Sequence, residues 1–235
     1  MKSFRDAQFI EADFHGAVFR GVDFSEVTIT DAWVHNVQIS GHVDGLSING
    51  VDVGGYVERT LNERHPERGL LAPTDTAATR VAWNVIEEFC ETTLLRARTL
   101  PVDRLSESVG GEWSFLQTLR HLVYATDRWI SGPVLDEEAP FHRLGLPNPP
   151  FDEVPEGIFD LDMSPSVEEV VAARRSRMDR VAQVVGQIDD PGLARVVRSP
   201  NGGTVTVLSC LHVVFREEWW HNQYAVRDLA WLEAR

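Results

Sequence analysis

Apolar side chains recur every five residues from the start of the chain. One phase carries large apolar residues, and the phase two positions earlier carries small ones; the two series are Phe4, Phe9, Phe14, Phe19, Phe24, Ile29, Val34 and Ile39, and Ala7, Ala12, Ala17, Val22, Val27, Ala32 and Val37. A helix repeats every 3.6 residues and a strand every 2, so neither element explains this spacing. The pattern predicts a chain that turns a corner in every unit and stacks its large side chains inside a square tube. After Ile39 the phase slips, and residues 40–45 are predicted to form an irregular corner.

Helical patterns follow the repeat, which ends at Gly54-Gly55. A short helix is predicted over residues 56–64, because His65-Pro66 stops helical backbone. Four long helical patterns come next, and they cover residues 75–99, 114–132, 164–188 and 206–233. In the first of them the predicted apolar stripe is Val81, Val85, Phe89 and Cys90.

Capping boxes mark the start of two of these helices. Ser114 with Gln117, and Ser166 with Glu169, place a hydroxyl and a longer polar side chain three residues apart, as such a box requires. Residues 135–162 separate the two helices and are rich in proline, glycine and acidic residues. A loop of this length in a compact domain is either functional or mobile.

The last helical pattern contains a carboxylate on its apolar face. At about 100° per residue, Glu217 lies near the middle of the apolar arc and His221 lies beside it, one helical turn away. A carboxylate among apolar residues is destabilising unless a partner compensates its charge. A metal ion is one such partner, since Glu and His four residues apart on a helix can both bind it.

His121 is the candidate third ligand. It lies at the margin of the apolar arc of the second long helix, and a bundle would bring that helix against the fourth. Two histidines and one glutamate with an open position are typical of a catalytic zinc site. His212 is a poorer candidate ligand because it lies on the polar side of its helix. Cys210 is too far from Glu217 to bind the same ion.

Two structural alternatives remain open for the same residues. Glu217 could pair with an arginine such as Arg80 or Arg128, and His221 could bond to a backbone carbonyl. His121 could equally be a packed, hydrogen-bonded core residue. Asp228, two turns beyond His221, is interpreted as a salt-bridged residue.

Charge and composition narrow the classes of partner. The chain has 235 residues and a formal net charge of −14, which argues against nucleic acid because phosphate binding requires a positive surface. No run of 18 apolar residues and no signal peptide are apparent, so no membrane partner is expected. Two cysteines, Cys90 and Cys210, make no disulfide framework, and a cytoplasmic location is predicted.

The repeat resembles the pentapeptide-repeat family, whose fold is a right-handed quadrilateral β-helix with four units per coil. About two coils would fit residues 4–39, and a third would fit the residues after the phase slip, which gives a height of about 10–15 Å at the spacing of paired strands. So short a tube offers little surface for imitating a DNA duplex. Packing on the next domain or forming a dimer edge is the expected role.

The helical region resembles the DinB-like superfamily. Gly111-Glu112-Trp113-Ser114 followed by His121-Leu122 is similar to a segment of those proteins, which are metal-binding four-helix bundles grouped with thiol S-transferases. The motif of Glu217 followed by His221 four residues later is similar to the corresponding motif of the mycothiol-dependent maleylpyruvate isomerase branch. The resemblance implies that His121, Glu217 and His221 are the metal ligands, while no substrate-binding or thiol-binding residues can be matched.

The chain is therefore predicted to be an α+β multidomain protein. Residues 1–55 form the repeat β-helix, residues 56–73 a linker with a short helix, and residues 74–235 a metal-binding four-helix bundle. The resemblance implies a divalent-metal-dependent enzyme, a thiol S-transferase or a hydrolase, that activates a low-molecular-weight thiol or water towards an electrophilic small molecule. Zinc is the first choice of metal, with nickel or iron as alternatives, and mycothiol or a similar thiol is the implied cosubstrate. The competing hypothesis is a non-enzymatic assembly protein that uses the repeat as its interaction module, with a homodimer as the candidate assembly.

Overall fold

The computed structural model describes residues 2–41, 43–148, 157–161 and 163–235. Met1 and His42 of the predicted repeat domain lie outside the described residues. So do residues 149–156 and Asp162 of the predicted long loop.

The repeat turns once in every unit, as its spacing predicts. Left-handed backbone, with φ between 52° and 131°, recurs every five residues at Asp6, Glu11, Gly16, Gly21, Glu26, Asp31, Asn36 and Gly41. Backbone hydrogen bonds close some of these turns, for example from Ala7 N to Phe4 O (3.0 Å) and from Val27 N to Phe24 O (3.2 Å). Glycine, asparagine and aspartate adopt left-handed backbone at lower cost than other residues. All of these positions except Glu11 and Glu26 carry one of the three.

The predicted square tube is not confirmed. Within residues 2–41 no strand is assigned, and the five phenylalanines of the large phase remain 49–65% exposed. Successive rings contact one another, with centroids 5.4–6.0 Å apart between Phe4 and Phe24. The backbone hydrogen bonds of this stretch close local turns, so no pairing between coils encloses the rings.

A small hairpin and the predicted short helix lead to the helical domain. Strands β1 (Ser47–Ile48) and β2 (Val51–Asp52) pair antiparallel, and α1 spans Gly54–Arg64. A 3-10 helix, Pro66–Leu70, follows directly. Arg20 of the repeat donates hydrogen bonds to the carbonyls of Gly110 and Gly111 in the helical domain.

The helices that follow Ser114 and Ser166 begin where their capping boxes predict. The bounds are α2 Thr76–Ala97, α3 Phe115–Thr126, α4 Val167–Gln187 and α6 Val207–Glu233, with the short α5 Asp190–Ala194 between the last two. Both predicted capping boxes are present, at Ser114 and Ser166. Three features were not predicted: a 3-10 helix, Val102–Ser106; a π turn, Asp127–Ser131, that extends α3; and a hairpin of β3 (Val196–Arg198) with β4 (Thr204–Thr206).

Helices α2 and α3 each pack against both α4 and α6. The described part of the chain contains six α-helices, so the predicted count of four is not confirmed. The predicted stripe on α2 was partly wrong, because Val81 is 49% exposed while Trp83 and Ile86 are buried. The buried face of α2 is the one that contacts α4 and α6. Sequence periodicity alone does not show where those two helices lie.

The domain interior has three apolar clusters, and polar side chains lie between the two larger ones. The larger cluster includes Trp83, Ile86 and Phe215, and the smaller one includes Phe115 and Leu229. Between the two clusters along α6 lies the stretch from Glu217 to Asn222. We call the charged and polar side chains at this level the polar layer; its members are Cys90, Thr93, His121, Arg174, Glu217, Glu218, His221 and Asn222.

Asp127 anchors a second buried charge pair at the π turn. Its carboxylate accepts bonds from Arg177 on α4 (3.0 and 3.1 Å), from the Ser131 hydroxyl and from the backbone N–H of His142. One buried carboxylate therefore joins α4, the π turn and the start of the long loop.

Replacing Asp127 with alanine is expected to lower the free energy of unfolding by about 3–5 kcal/mol, because Arg177 would stay buried without its partner. Urea denaturation measures the difference. Asp179→Ala, at an exposed position on α4, is the control and is expected to change the value by less than about 0.5 kcal/mol. Equal losses in the two variants would contradict the role given to Asp127.

Candidate metal centre

Three side chains from two helices converge at the polar layer. Glu217 and His221 lie one turn apart on α6, and His121 faces them from α3. His121 Nε2 lies 3.5 Å from Glu217 Oε2, and His221 Nδ1 lies 3.3 Å from the same oxygen. One ligand atom from each residue lies within 4.8 Å of the others, and no other such group of three occurs in the described residues.

Backbone carbonyls orient both imidazole rings. His121 Nδ1 donates to Leu146 O at 2.9 Å, and His221 Nδ1 donates to Glu217 O at 2.9 Å. Each ring therefore carries a proton on Nδ1, which leaves Nε2 as the nitrogen that can bind an ion. This is the usual arrangement of histidines that bind metal ions, whose second nitrogen donates to a carbonyl or carboxylate.

Charge states at the centre favour cation binding. Burial raises the pKa of Glu217, but its contact with His121, followed by those with His221 and Arg216, outweighs burial and lowers the pKa below its ordinary value. Burial and the neighbouring His121 lower the pKa of His221 to about 4, against a smaller opposing effect of Glu217. At neutral pH the centre thus holds an ionised carboxylate and a neutral His221, the forms that bind metals.

Glu217 faces the open side of the centre, and aromatic rings form its walls. The Glu217 side chain is 28% exposed, compared with 9% for His121 and 12% for His221. The Trp113 ring lies 4.8 Å from that of His121 and 6.4 Å from that of His221. Tyr224 lies 5.8 Å from His221, edge-on. The carboxylate is therefore the most exposed of the three side chains, and it lies beside an aromatic surface.

A buried ion pair adjoins the centre. Glu218 is 1% exposed and pairs with Arg174 from α4, and the Cys90 thiol donates to the same carboxylate at 3.5 Å. Burial raises the pKa of Glu218, while Arg174 opposes this. Burial, together with the charge of Glu218, also raises the pKa of Cys90 well above its ordinary value. Cys90 is therefore a neutral thiol in this layer and not a nucleophile.

The residues that the sequence pattern ruled out as metal ligands lie away from the candidate centre. His212 Nε2 bonds to Pro73 O at 2.7 Å, and Cys210 is buried in the larger apolar cluster. Asp228 accepts a bond from Arg227 Nε at 2.7 Å, which confirms the predicted salt bridge.

The structural alternative for Glu217 finds no support in its proposed partners. Arg80 donates to Ile188 O at 3.2 Å, and Arg128 donates to the Tyr124 hydroxyl at 3.0 Å. The contacts of Glu217 are instead the two histidines.

Three neighbours of the centre were missed by the sequence interpretation. Glu218 and Arg174 were given no role, and Trp113 was considered only as part of the segment that carries the resemblance. A signal for Arg174 exists, because it lies on the buried face of α4, four residues after Val170 and with Ala173 beside it. A charged residue on such a face requires a buried partner.

Acid is expected to destabilise the metal-free protein through His221. Its pKa is about 4 when folded and 6.5 ordinarily, so between these values the unfolded chain binds the proton first. The free energy of unfolding should therefore fall as the pH drops from 6.5 towards 4, by up to about 3 kcal/mol from this group. Denaturation of His221→Gln should show a smaller fall than the parent, whereas His212→Gln should match the parent. A parent-like fall in His221→Gln would contradict the assignment.

Models of known protein families match both the helical domain and the N-terminal repeat. The family model described as DinB superfamily matches residues 76–225, and one described as pentapeptide repeats, with nine copies, matches residues 4–44. No curated protein and no solved structure matches the chain. No helix among the described residues has the length and apolar character needed to cross a membrane. The matched domain covers more than half of the sequence and contains His121, Glu217 and His221, and the chain therefore belongs to the DinB superfamily, with pentapeptide repeats at its N-terminus.

Proposed function

We propose that the chain binds one divalent metal ion through His121, Glu217 and His221 and uses it to act on an electrophilic small molecule. The observation that carries the proposal is the convergence of three ligand atoms within 4.8 Å. The superfamily is generally metal-binding, which supports the same reading.

The donor set fits a divalent ion. Two imidazole nitrogens and one carboxylate oxygen suit zinc first, with nickel or iron as alternatives. Both histidines have their Nδ1 atoms committed to carbonyls, so Nε2 is available to an ion in each. Three protein ligands leave a position for an exogenous group.

A divalent ion bound here would supply a Lewis acid that lowers the pKa of a bound thiol or water. His121 and His221 would hold it without adding charge, and Glu217 would reduce the net charge of the centre. Trp113 and Tyr224 would exclude bulk water from one side and stack against an unsaturated substrate. Thiol S-transfer with mycothiol or a similar thiol, and hydrolysis, are the two reaction classes we propose.

The location and the boundaries belong to the same proposal. Free Cys90 and Cys210 support a reducing, cytoplasmic compartment. We retain domain boundaries at residues 1–55, 56–73 and 74–235, with the last folding around α2, α3, α4 and α6 as a four-helix bundle.

The second candidate function is assembly through the repeat. The specific observation is its row of exposed large apolar residues, with Phe4 65% and Ile29 75% exposed. Such rows are normally covered, and either closure into the quadrilateral β-helix or a homodimer contact would cover them. The acidic charge of the chain argues against a nucleic-acid partner.

Protein prepared without a histidine tag is expected to contain about one divalent ion per chain. His121→Ala, Glu217→Gln and His221→Ala should each weaken zinc binding by more than about 100-fold, as measured by competition with a chelating dye. His212→Ala is the matched control, since it removes a histidine of the same helix that bonds to Pro73. Failure to take up any transition metal on reconstitution would refute the metal centre.

Catalysis is tested separately with a panel of low-molecular-weight thiols and electrophiles. Turnover that requires the metal and is lost in His221→Ala would support the enzyme. Metal binding without turnover on the panel would favour the assembly function.

A further inference from the structure

The long loop between α3 and α4 bonds directly to the helix segment that carries His121. Leu146 N donates to Arg120 O at 3.1 Å, and Leu146 O accepts from His121 Nδ1 at 2.9 Å. One loop residue thus contacts two consecutive residues of α3, and the second of them is a member of the candidate centre.

Arg120 holds this part of the loop from inside the domain. Its side chain is 3% exposed, and its guanidinium donates to Leu144 O (2.9 Å), Asp160 O (2.9 Å) and Met163 O (3.2 Å). A buried cation is destabilising unless its donors are satisfied. The rigid fork of a guanidinium can satisfy three carbonyls at fixed directions, which a lysine cannot do.

Gly145 lies where the loop backbone packs closely against its neighbours. A Cβ atom there would lie 2.8 Å from Phe159 Cε1 and 3.1 Å from His142 O. The turn from His142 to Gly145 is closed by a backbone bond of 2.8 Å. A side chain at position 145 would therefore require the Phe159 ring or the His142 carbonyl to move.

The geometry points to a positioning role for Arg120: it fixes the loop so that the Leu146 carbonyl holds the His121 ring with its proton on Nδ1. Nε2 of His121 is thereby directed at Glu217, 3.5 Å from its Oε2. This inference rests on the proposed function for its consequence, which is tighter metal binding. It assigns a role to the loop residues that bond to this part of α3, which are Leu144, Leu146, Asp160 and Met163.

The His121 tautomer can be measured without any metal. Long-range ¹H–¹⁵N NMR of the metal-free chain is expected to show His121 with its proton on Nδ1. In Arg120→Gln this preference should be lost, and zinc affinity should fall about 10–100-fold, the usual effect of removing support from a ligating histidine. Arg104→Gln is the matched control, because Arg104 is half-buried and donates to Leu232 O at 3.2 Å, far along α6 from His221. It should leave tautomer and affinity unchanged.

Gly145→Ala provides a second disturbance of the loop that leaves Arg120 in place. It is expected to shift the same NMR signals and to weaken zinc binding in the same direction, and it decides the matter if Arg120→Gln does not fold. A parent His121 with its proton on Nε2 would overturn the inference. So would folded variants that keep the parent tautomer and bind zinc within about 2-fold of the parent. If the parent binds no zinc, the proposed function fails, while the NMR measurement still decides the role of the loop.

Discussion

Compensation of buried negative charge is the constraint on which the helical domain depends. Glu217 and Glu218 are adjacent on α6, and both lie between two apolar clusters. Arg174 neutralises Glu218, and the contacts of Glu217 among the described residues are with two imidazole rings. Buried charges of this kind are destabilising unless they are paired. A divalent cation at the two histidines would complete the compensation, so metal binding and the stability of the polar layer are parts of one arrangement.

The polar layer also explains how the helices are held in register. Arg174 joins α4 to α6, and Thr93 Oγ1 donates to Asn222 Oδ1 at 2.6 Å, which joins α2 to α6. His121 joins α3 to the same level, and the loop residue Leu146 fixes its ring. Each helix thus contributes a directional contact that sliding by one turn would break.

Local chemistry made much of this domain predictable. Capping boxes gave the starts of α3 and α4, and the spacing of Glu217 and His221 placed both on one side of α6. The predicted arc, however, centred on Glu217, whereas Glu218 is the more deeply buried residue. Helix α6 contacts both α2 and α3, so its buried arc is wider than a single stripe. The partner of Glu218 depends on how α4 is aligned with α6, which the spacing within either helix does not encode.

The same distinction between local and distant interactions applies to the repeat. Its five-residue period correctly predicted a turn in every unit, because turns depend on neighbouring residues. Closure into a tube depends on pairing between residues far apart in the chain, and the structure shows local backbone bonds instead. The exposed phenylalanine row is the consequence.

The central claim is that a metal ion lies between α3 and α6. Anomalous diffraction at the zinc edge, from crystals of the zinc-loaded chain, tests this most directly. We predict one peak at bonding distance, about 2.0–2.2 Å, from His121 Nε2, His221 Nε2 and a Glu217 carboxylate oxygen. A map with no peak at this position, or with its main peak at other side chains, would contradict the account.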